Sequence, residues 1–211
     1  MPGLPPSAVH ATLSTRVILF ANLTGLERTM LRSLLLVVAV MWLAVPALAE
    51  EYGMSAAEAF AAVNDPEQAV LFVDVRDPVE IMFVGWTDSA DVNIPFLLVD
   101  RTGWNADSGS FPMPRNPDFT AQVEAALAAR GLDRDALIIT MCRSGSARGE
   151  PSARALREAG FSNARFVRHG FQGDRIGDGE HAGLRLKNGW QNEGLPWQPR
   201  MNPDKIFRPG D

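Results

Sequence analysis

The chain has 211 residues, of which 46% are hydrophobic and 21% charged, a composition that excludes a disordered chain, a collagen-like repeat and a coiled coil. Its 20 basic and 25 acidic residues give a net charge of −5, so no overall positive field favours nucleic acid or anionic lipid. A single cysteine excludes a disulfide framework and a zinc site built on several thiolates. We expect one folded domain and no nucleic-acid partner.

The first 49 residues have the features of an export signal preceded by extra residues. Arg32 precedes an unbroken apolar run at residues 34–45, which leads into a small-residue cleavage site ending at Ala49. This run is shorter than the roughly 20 apolar residues that cross a bilayer, so we expect no stable membrane anchor. We predict that residues 1–29 reflect a misassigned start and that residues 30–49 are a signal peptide. Cleavage near Ala49 would release a periplasmic or secreted protein.

Beyond residue 50, short apolar runs alternate with helical patterns. The capping-box spacing of Ser55 and Glu58 predicts a helix that ends near Val63. The next helix is expected to begin at Asn116 as its N-cap. Strands that alternate with helices predict an α/β fold with a mostly parallel sheet flanked by helices. The predicted strands are residues 69–75, 135–141 and 163–168, and the further helices are residues 116–130 and 151–159, with Gly131 and Gly160 as their stops.

Two stretches lack this alternation. Residues 101–115 and 171–211 are rich in glycine, proline and polar residues, and we expect them to be ordered surface loops. The domain is therefore predicted to span residues 50–173, followed by an irregular extension over residues 174–211. Aromatic side chains are expected to attach this extension to the domain, namely Trp190, Trp197 and Phe207.

The only cysteine lies where a predicted buried strand ends and a small-residue loop leads into a helix. Residues 142–151 read Cys-Arg-Ser-Gly-Ser-Ala-Arg-Gly-Glu-Pro. Loop amides, the positive end of the helix and two arginines would form an anion cradle, beside which Cys142 is expected to be a thiolate nucleophile. A merely structural cysteine would not require a glycine, two serines and two arginines around its sulfur. The predicted substrate-binding residues are Arg143, Ser144, Gly145, Ser146, Ala147 and Arg148.

These motifs together resemble those of rhodanese-like domains, which are single-domain sulfurtransferases with a five-stranded parallel sheet. Residues 142–145 with a following arginine look like the active-site loop of that family. Residues 72–80 resemble its Asp-x-Arg turn with a later Glu, residues 93–95 resemble its Asn-Ile-Pro, and Gly170 matches its final turn. The resemblance covers about residues 54–173. The order and spacing of the motifs support this resemblance more strongly than any single motif does.

The resemblance implies a sulfurtransferase in which Cys142 accepts a sulfane sulfur as a persulfide and passes it to a thiophilic acceptor. Arg143 would attract an anionic donor such as thiosulfate, and the acceptor would be a thiol or a cyanide-like molecule. A periplasmic redox partner is a further expected partner. Structural support for the loop would come from Asp74, Arg76 and Glu80. The resemblance implies no cofactor and no metal.

Two alternatives remain open. The loop is one residue longer than usual in this family, so Arg148 stands six positions after Cys142, which is the phosphatase spacing. Residues 148–151 also resemble the Arg-Gly-x-Pro of cell-cycle phosphatases and eukaryotic-type arsenate reductases of the same fold, with Glu150 as a candidate general acid. The third hypothesis is a non-catalytic module that binds an anion or a protein, against which the intact Cys142 argues.

Overall fold

A computed structural model describes residues 52–210 of the chain. The predicted misassigned start, signal peptide and cleavage site lie outside these residues. Within residues 52–210, no helix has the length and apolar character needed to cross a membrane. The elements in chain order are β1 (Gly53–Met54), α1 (Ala56–Val63), β2 (Val70–Asp74), α2 (Pro78–Val84), β3 (Val92–Asn93), α3 (Phe119–Ala129), β4 (Leu137–Met141), α4 (Gly149–Glu158) and β5 (Ala164–Val167).

The five strands form one parallel sheet in the order β1-β5-β4-β2-β3. This confirms the predicted α/β class with a five-stranded parallel sheet. The central strands β2 and β4 are continuous apolar runs because both faces of a parallel sheet are covered. Their register pairs Asp74 with Met141, so both strands end at the same level.

Two apolar layers cover the sheet, one on each face. Leu71 and Val73 of β2 point into the layer that holds α3 and α4, whereas Phe72 between them points into the other. That second layer holds α1, Ile81 of α2, and Trp190 from the C-terminal extension. The extension is therefore part of the core rather than an appendage.

The helix starts match the sequence prediction at α1 but not at α3. At α1, the Ser55 side chain accepts from the Glu58 amide at 3.1 Å and the Glu58 carboxylate accepts from the Ser55 amide at 2.7 Å, so the predicted capping box is confirmed. Helix α3 begins later than predicted, with Asp118 rather than Asn116 at its N-cap. The Asn116 side chain instead donates to the Pro95 carbonyl at 2.9 Å and thereby fixes a neighbouring loop.

Three elements have no counterpart in the sequence prediction: β1, β3 and α2. Strands of two residues are too short to carry a period-2 pattern. The region of α2 was expected to be a turn, yet Asp77 caps a helix there by accepting from the Val79 amide at 2.9 Å, and Pro78 occupies its first position. The resulting helix carries Glu80 toward the carboxyl edge of the sheet.

The C-terminal extension contacts the domain at several places, including Trp190 and Asn202. The Trp190 side chain is fully buried, with its ring centroid 5.8 Å from that of Phe60 and 5.4 Å from that of Phe72. Farther along, Asp88 accepts from Asn202 at 2.8 Å and from the Trp86 indole at 2.9 Å. These hydrogen bonds lower the pKa of Asp88 despite the opposing effect of its partial burial. Trp190 and Asn202 of the extension thus contact side chains of the preceding domain.

Candidate active site

The candidate residues come together at the carboxyl edge of the sheet. In a parallel sheet all strands end on the same side, and the loops that follow them converge there. Cys142 follows β4 directly, Asp74 is the last residue of β2, and residues 168–173 follow β5. The topology therefore brings the cysteine loop, the Asp-x-Arg turn and the start of the extension to one location.

The backbone amides of the loop between Cys142 and α4 have no hydrogen-bond acceptor within the described residues. None of the six N–H groups of residues 143–148 donates to an acceptor among residues 52–210. The loop is nevertheless fixed at its far end, because the Gly145 carbonyl accepts from the Glu150 amide at 2.8 Å and the Gly149 carbonyl accepts from Thr140 Oγ1 at 2.9 Å. Six unpaired donors on a fixed loop, beside the N-terminus of a ten-residue helix, form a cradle suited to an anion.

The Cys142 side chain lies at the base of this loop. It is fully buried, and a methyl group built on Gly149 would lie 3.5 Å from its sulfur. The Cys142 carbonyl accepts from the Phe171 amide at 2.8 Å, which ties the strand end to the segment after β5. The thiol is therefore shielded from bulk solvent, and only a small reagent that enters the loop can reach it.

Arg148 does not point freely into the loop. Both terminal nitrogens of its guanidinium donate to the Glu80 carboxylate, Nη1 to Oε2 and Nη2 to Oε1 at 3.0 Å. Only 9% of the Arg148 side chain and 17% of the Glu80 side chain are exposed. Burial alone would lower the pKa of Arg148, but the hydrogen bonds and charge of Glu80, with smaller contributions from Cys142 and Asp74, raise it above its ordinary value. Arg148 thus remains charged and is held by α2.

The Asp74 and Arg76 side chains form a second ion pair behind the loop. Both are fully buried, with Arg76 Nη2 2.5 Å from Asp74 Oδ2 and Nε 2.9 Å from Oδ1. The guanidinium also donates to the Gly85 carbonyl at 3.0 Å and stacks on the Phe171 ring, 4.1 Å from its centroid. Asn93 donates to the carbonyls of both residues, each at 2.8 Å. The pair therefore links β2, β3 and the segment after β5.

The remaining loop residues lie at the rim. Gly145 is buried, Arg143 and Ser144 are partly exposed, and Ser146 and Ala147 are exposed. Arg143 Nε donates to Gln172 Oε1 at 2.7 Å. All the residues predicted to bind substrate thus lie in one loop, whereas Asp74 and Arg76 contact its surroundings rather than its interior. Sequence reasoning missed Gln172, because no motif links it to the loop.

Two further polar groups lie near the rim. His169 Nδ1 and Asp174 Oδ2 are 2.8 Å apart, and His169 has a positive φ of 63°. Across residues 52–210, histidine, cysteine and acidic side chains form no group of three or more that could hold a metal ion. His169 therefore contributes to the turn that follows β5.

Gly170 packs against the loop so closely that a side chain does not fit. A Cβ built there would lie 2.2 Å from the Cys142 carbonyl oxygen and 2.8 Å from the Ser144 and Gly145 nitrogens. We expect Gly170→Ala to displace the loop, lowering the free energy of unfolding by about 1–3 kcal/mol through overpacking and weakening anion binding. Urea denaturation and titration of the protein with sulfite measure the two effects.

Gly109→Ala is the matched control for this substitution. Gly109 has a similar φ, 60° against 56° at Gly170, but a Cβ there would meet nothing within 4 Å. The control therefore carries the backbone strain without the clash. Equal losses in the two variants would contradict the close packing of Gly170 on the loop.

Comparison with known proteins agrees with this description. No protein-family model and no curated protein matches the sequence. Among solved structures, the chain is similar to Rv0390 from M. tuberculosis, with a TM-score of 0.51 and 28% identity over 70% of this chain and 97% of that one.

Two further solved structures are similar at 20% identity and a TM-score of 0.39 each. One is a rhodanese-related protein from Thermoplasma volcanium, with 70% of this chain and 98% of that chain covered. The other is the polysulfide-sulfur transferase homodimer from Wolinella succinogenes, with 76% and 88% covered. The part of the chain that the structure describes is an α/β domain with a five-stranded parallel sheet, similar in fold to Rv0390.

Proposed function

We propose that the protein is a sulfurtransferase that carries a sulfane sulfur as a persulfide on Cys142. The Cys142 thiolate attacks the outer sulfur of thiosulfate; a bond from Sγ to that sulfur forms, the S–S bond of the donor breaks, and the bonding pair leaves with sulfite. Cyanide or a thiolate then attacks the outer sulfur of the persulfide. The Sγ–S bond breaks, and its electron pair returns to Sγ to restore the thiolate.

One observation carries this proposal: the loop that begins at the only cysteine has six consecutive backbone amides with no acceptor within residues 52–210. Such donors stabilise the negative charge of a persulfide and of an entering donor anion. The burial of Cys142 supports the same chemistry, because an S–S bond of about 2.05 Å extends the reactive atom toward the loop opening. The transferred sulfur is then within reach of an acceptor, while the cysteine stays shielded.

The phosphatase or arsenate reductase alternative is less well supported by the side chains around the loop. Glu80 accepts hydrogen bonds from both terminal nitrogens of Arg148, so this guanidinium is already paired with a carboxylate and would have only its remaining N–H groups to offer an oxyanion. Glu150, the candidate general acid, lies 3.5 Å from Arg154 on the surface of α4. The spacing of Cys142 and Arg148 alone therefore does not provide the groups that ester hydrolysis needs.

Steady-state turnover with competing substrates tests the proposal. The full chain is assayed for thiocyanate formation from thiosulfate and cyanide, and in parallel for hydrolysis of an aryl phosphate and reduction of arsenate with a thiol. We expect thiocyanate formation that saturates with thiosulfate and no Cys142-dependent reaction with the other two substrates. Phosphate release or arsenate reduction that requires Cys142, without thiocyanate formation, would overturn the proposal in favour of the alternative.

A further inference from the structure

The first residues of the C-terminal extension are hydrogen-bonded to the cysteine loop. The carbonyl of Arg143, the residue after the cysteine, accepts from the Gln172 amide at 2.8 Å and from the Gly173 amide at 3.2 Å. The side-chain oxygen of Gln172 in turn accepts a hydrogen bond from Arg143 Nε at 2.7 Å. The extension therefore starts at the rim of the anion cradle.

Arg185, twelve residues farther along, returns to this rim. Its Nη1 donates to the Gly173 carbonyl, and its side chain is partly buried. The guanidinium groups of Arg143 and Arg185 are thus hydrogen-bonded to two consecutive residues, Gln172 and Gly173. This arrangement holds a second guanidinium beside the one supplied by the loop.

Backbone hydrogen bonds hold Arg185 in this place. The Ile176 amide donates to the Leu184 carbonyl and the Gly183 amide to the Ile176 carbonyl, both at 2.8 Å. These two bonds close a loop at residues 177–183 and pair Ile176 with Leu184, which Arg175 precedes and Arg185 follows. The Asn192 side chain donates to the carbonyls of Arg185 at 3.2 Å and of Gln172 at 3.0 Å.

The result is a group of three positive charges beside the cysteine in an acidic protein. Partial burial lowers the pKa of Arg185, and the charges of Arg143 and Arg175 lower it further, while Asp174 and Cys142 oppose this. The Asp174 carboxylate is already hydrogen-bonded to Asn188 at 3.0 Å and paired with His169 at 2.8 Å. Clustered like charges repel one another, and an anion with more than one charge relieves that repulsion.

We propose that Arg185 is a specificity-determining residue that, together with Arg143, binds the charged end of the sulfur donor and selects dianionic donors over monoanionic ones. This inference rests on the proposed sulfurtransferase function. The dianion thiosulfate offers its sulfonate oxygens to the two guanidinium groups, while its outer sulfur enters the loop toward Cys142. The sulfite that leaves carries two charges and occupies the same position.

The test compares two donors that differ by one charge. Wild type and Arg185→Gln are assayed with thiosulfate, which carries two negative charges, and with methanethiosulfonate, which carries one, with cyanide as the acceptor. We expect Arg185→Gln to raise KM for thiosulfate about tenfold, the effect of one lost charge-assisted hydrogen bond, and to change KM for methanethiosulfonate about twofold or less. Arg185→Lys, which keeps the charge, should recover most of the affinity for thiosulfate.

Arg200→Gln is the matched control, because Arg200 is an exposed arginine in the same extension. It should leave both KM values unchanged. Equal rises in KM for both donors in Arg185→Gln, or no rise for thiosulfate, would overturn the inference while the proposed function stands. A wild-type chain that transfers sulfur from neither donor would overturn the proposed function itself and the inference with it.

Discussion

We expect Cys142→Ser to reduce the proposed sulfur transfer from thiosulfate to cyanide to the uncatalysed background, a loss on the order of a thousandfold or more. The expected cause is chemical rather than structural. A serine hydroxyl is far from ionised at neutral pH and forms no persulfide, so the first half of the reaction has no nucleophile. Thiocyanate release at saturating thiosulfate measures the effect.

The same variant should retain its fold and its affinity for anions. Cys142 is buried at the end of β4, and serine is of similar size, so we expect the free energy of unfolding to change by about 1–2 kcal/mol at most. The six loop amides are unaltered, and the variant should still bind sulfite. Turnover in Cys142→Ser comparable to that of wild type would refute a covalent intermediate on this residue.

Removing the charge of Asp74 is expected to cause the largest loss of stability among substitutions near the site. Asp74→Asn preserves the shape of the side chain but leaves the Arg76 guanidinium fully buried without a counter-charge. Breaking a buried pair in this way costs about 3–5 kcal/mol. Arg76 Nη1 already has no hydrogen-bond partner within the described part of the chain, so no spare acceptor offsets the loss. Urea-induced unfolding followed by tryptophan fluorescence gives the difference directly.

The exposed pair of Arg134 and Glu124 provides the control. Their atoms are 2.9 Å apart, yet about half of each side chain is exposed, 51% and 52% respectively. The same kind of change, Glu124→Gln, should cost no more than about 1 kcal/mol, because solvent screens this pair. If Asp74→Asn were no more destabilising than Glu124→Gln, the buried ion pair of Asp74 and Arg76 would not stabilise the fold as argued above.

The strand, loop and helix around Cys142 could be predicted because their physics is local. A continuous apolar run predicts a strand covered on both faces, and β2 and β4 are such strands. The glycine, serines and arginines after Cys142 indicate an anion-binding turn at the end of β4. The fold class and the position of the loop could therefore be predicted from the local sequence.

The partner of Arg148 was not predicted in the same way. The sequence placed Glu80 in the structural support but gave no sign that it binds Arg148 with both of its oxygens. That contact depends on α2, whose signal, Asp77 followed by Pro78, lay inside a motif interpreted as a turn. The spacing between Cys142 and Arg148 suggests an oxyanion site, whereas tertiary packing pairs the arginine with Glu80.

The C-terminal extension was the least predictable part. Within residues 174–210 the order comes from hydrogen bonds between side chains and distant backbone groups, such as those of Asn192 and Lys205, and not from a helical or strand pattern. Only the burial of Trp190 followed from its residue type. The approach of Arg185 to the cysteine loop requires the fold, because no local pattern joins residues so far apart in sequence.

Intact mass spectrometry detects directly whether Cys142 carries a transferred sulfur atom. The full chain is incubated with thiosulfate, freed of the donor, and weighed before and after addition of cyanide, beside Cys142→Ser. We expect a gain of one sulfur atom in the wild-type protein, its complete loss on addition of cyanide, and no gain in the variant. A wild-type mass unchanged by thiosulfate, or an equal gain in the variant, would contradict this expectation.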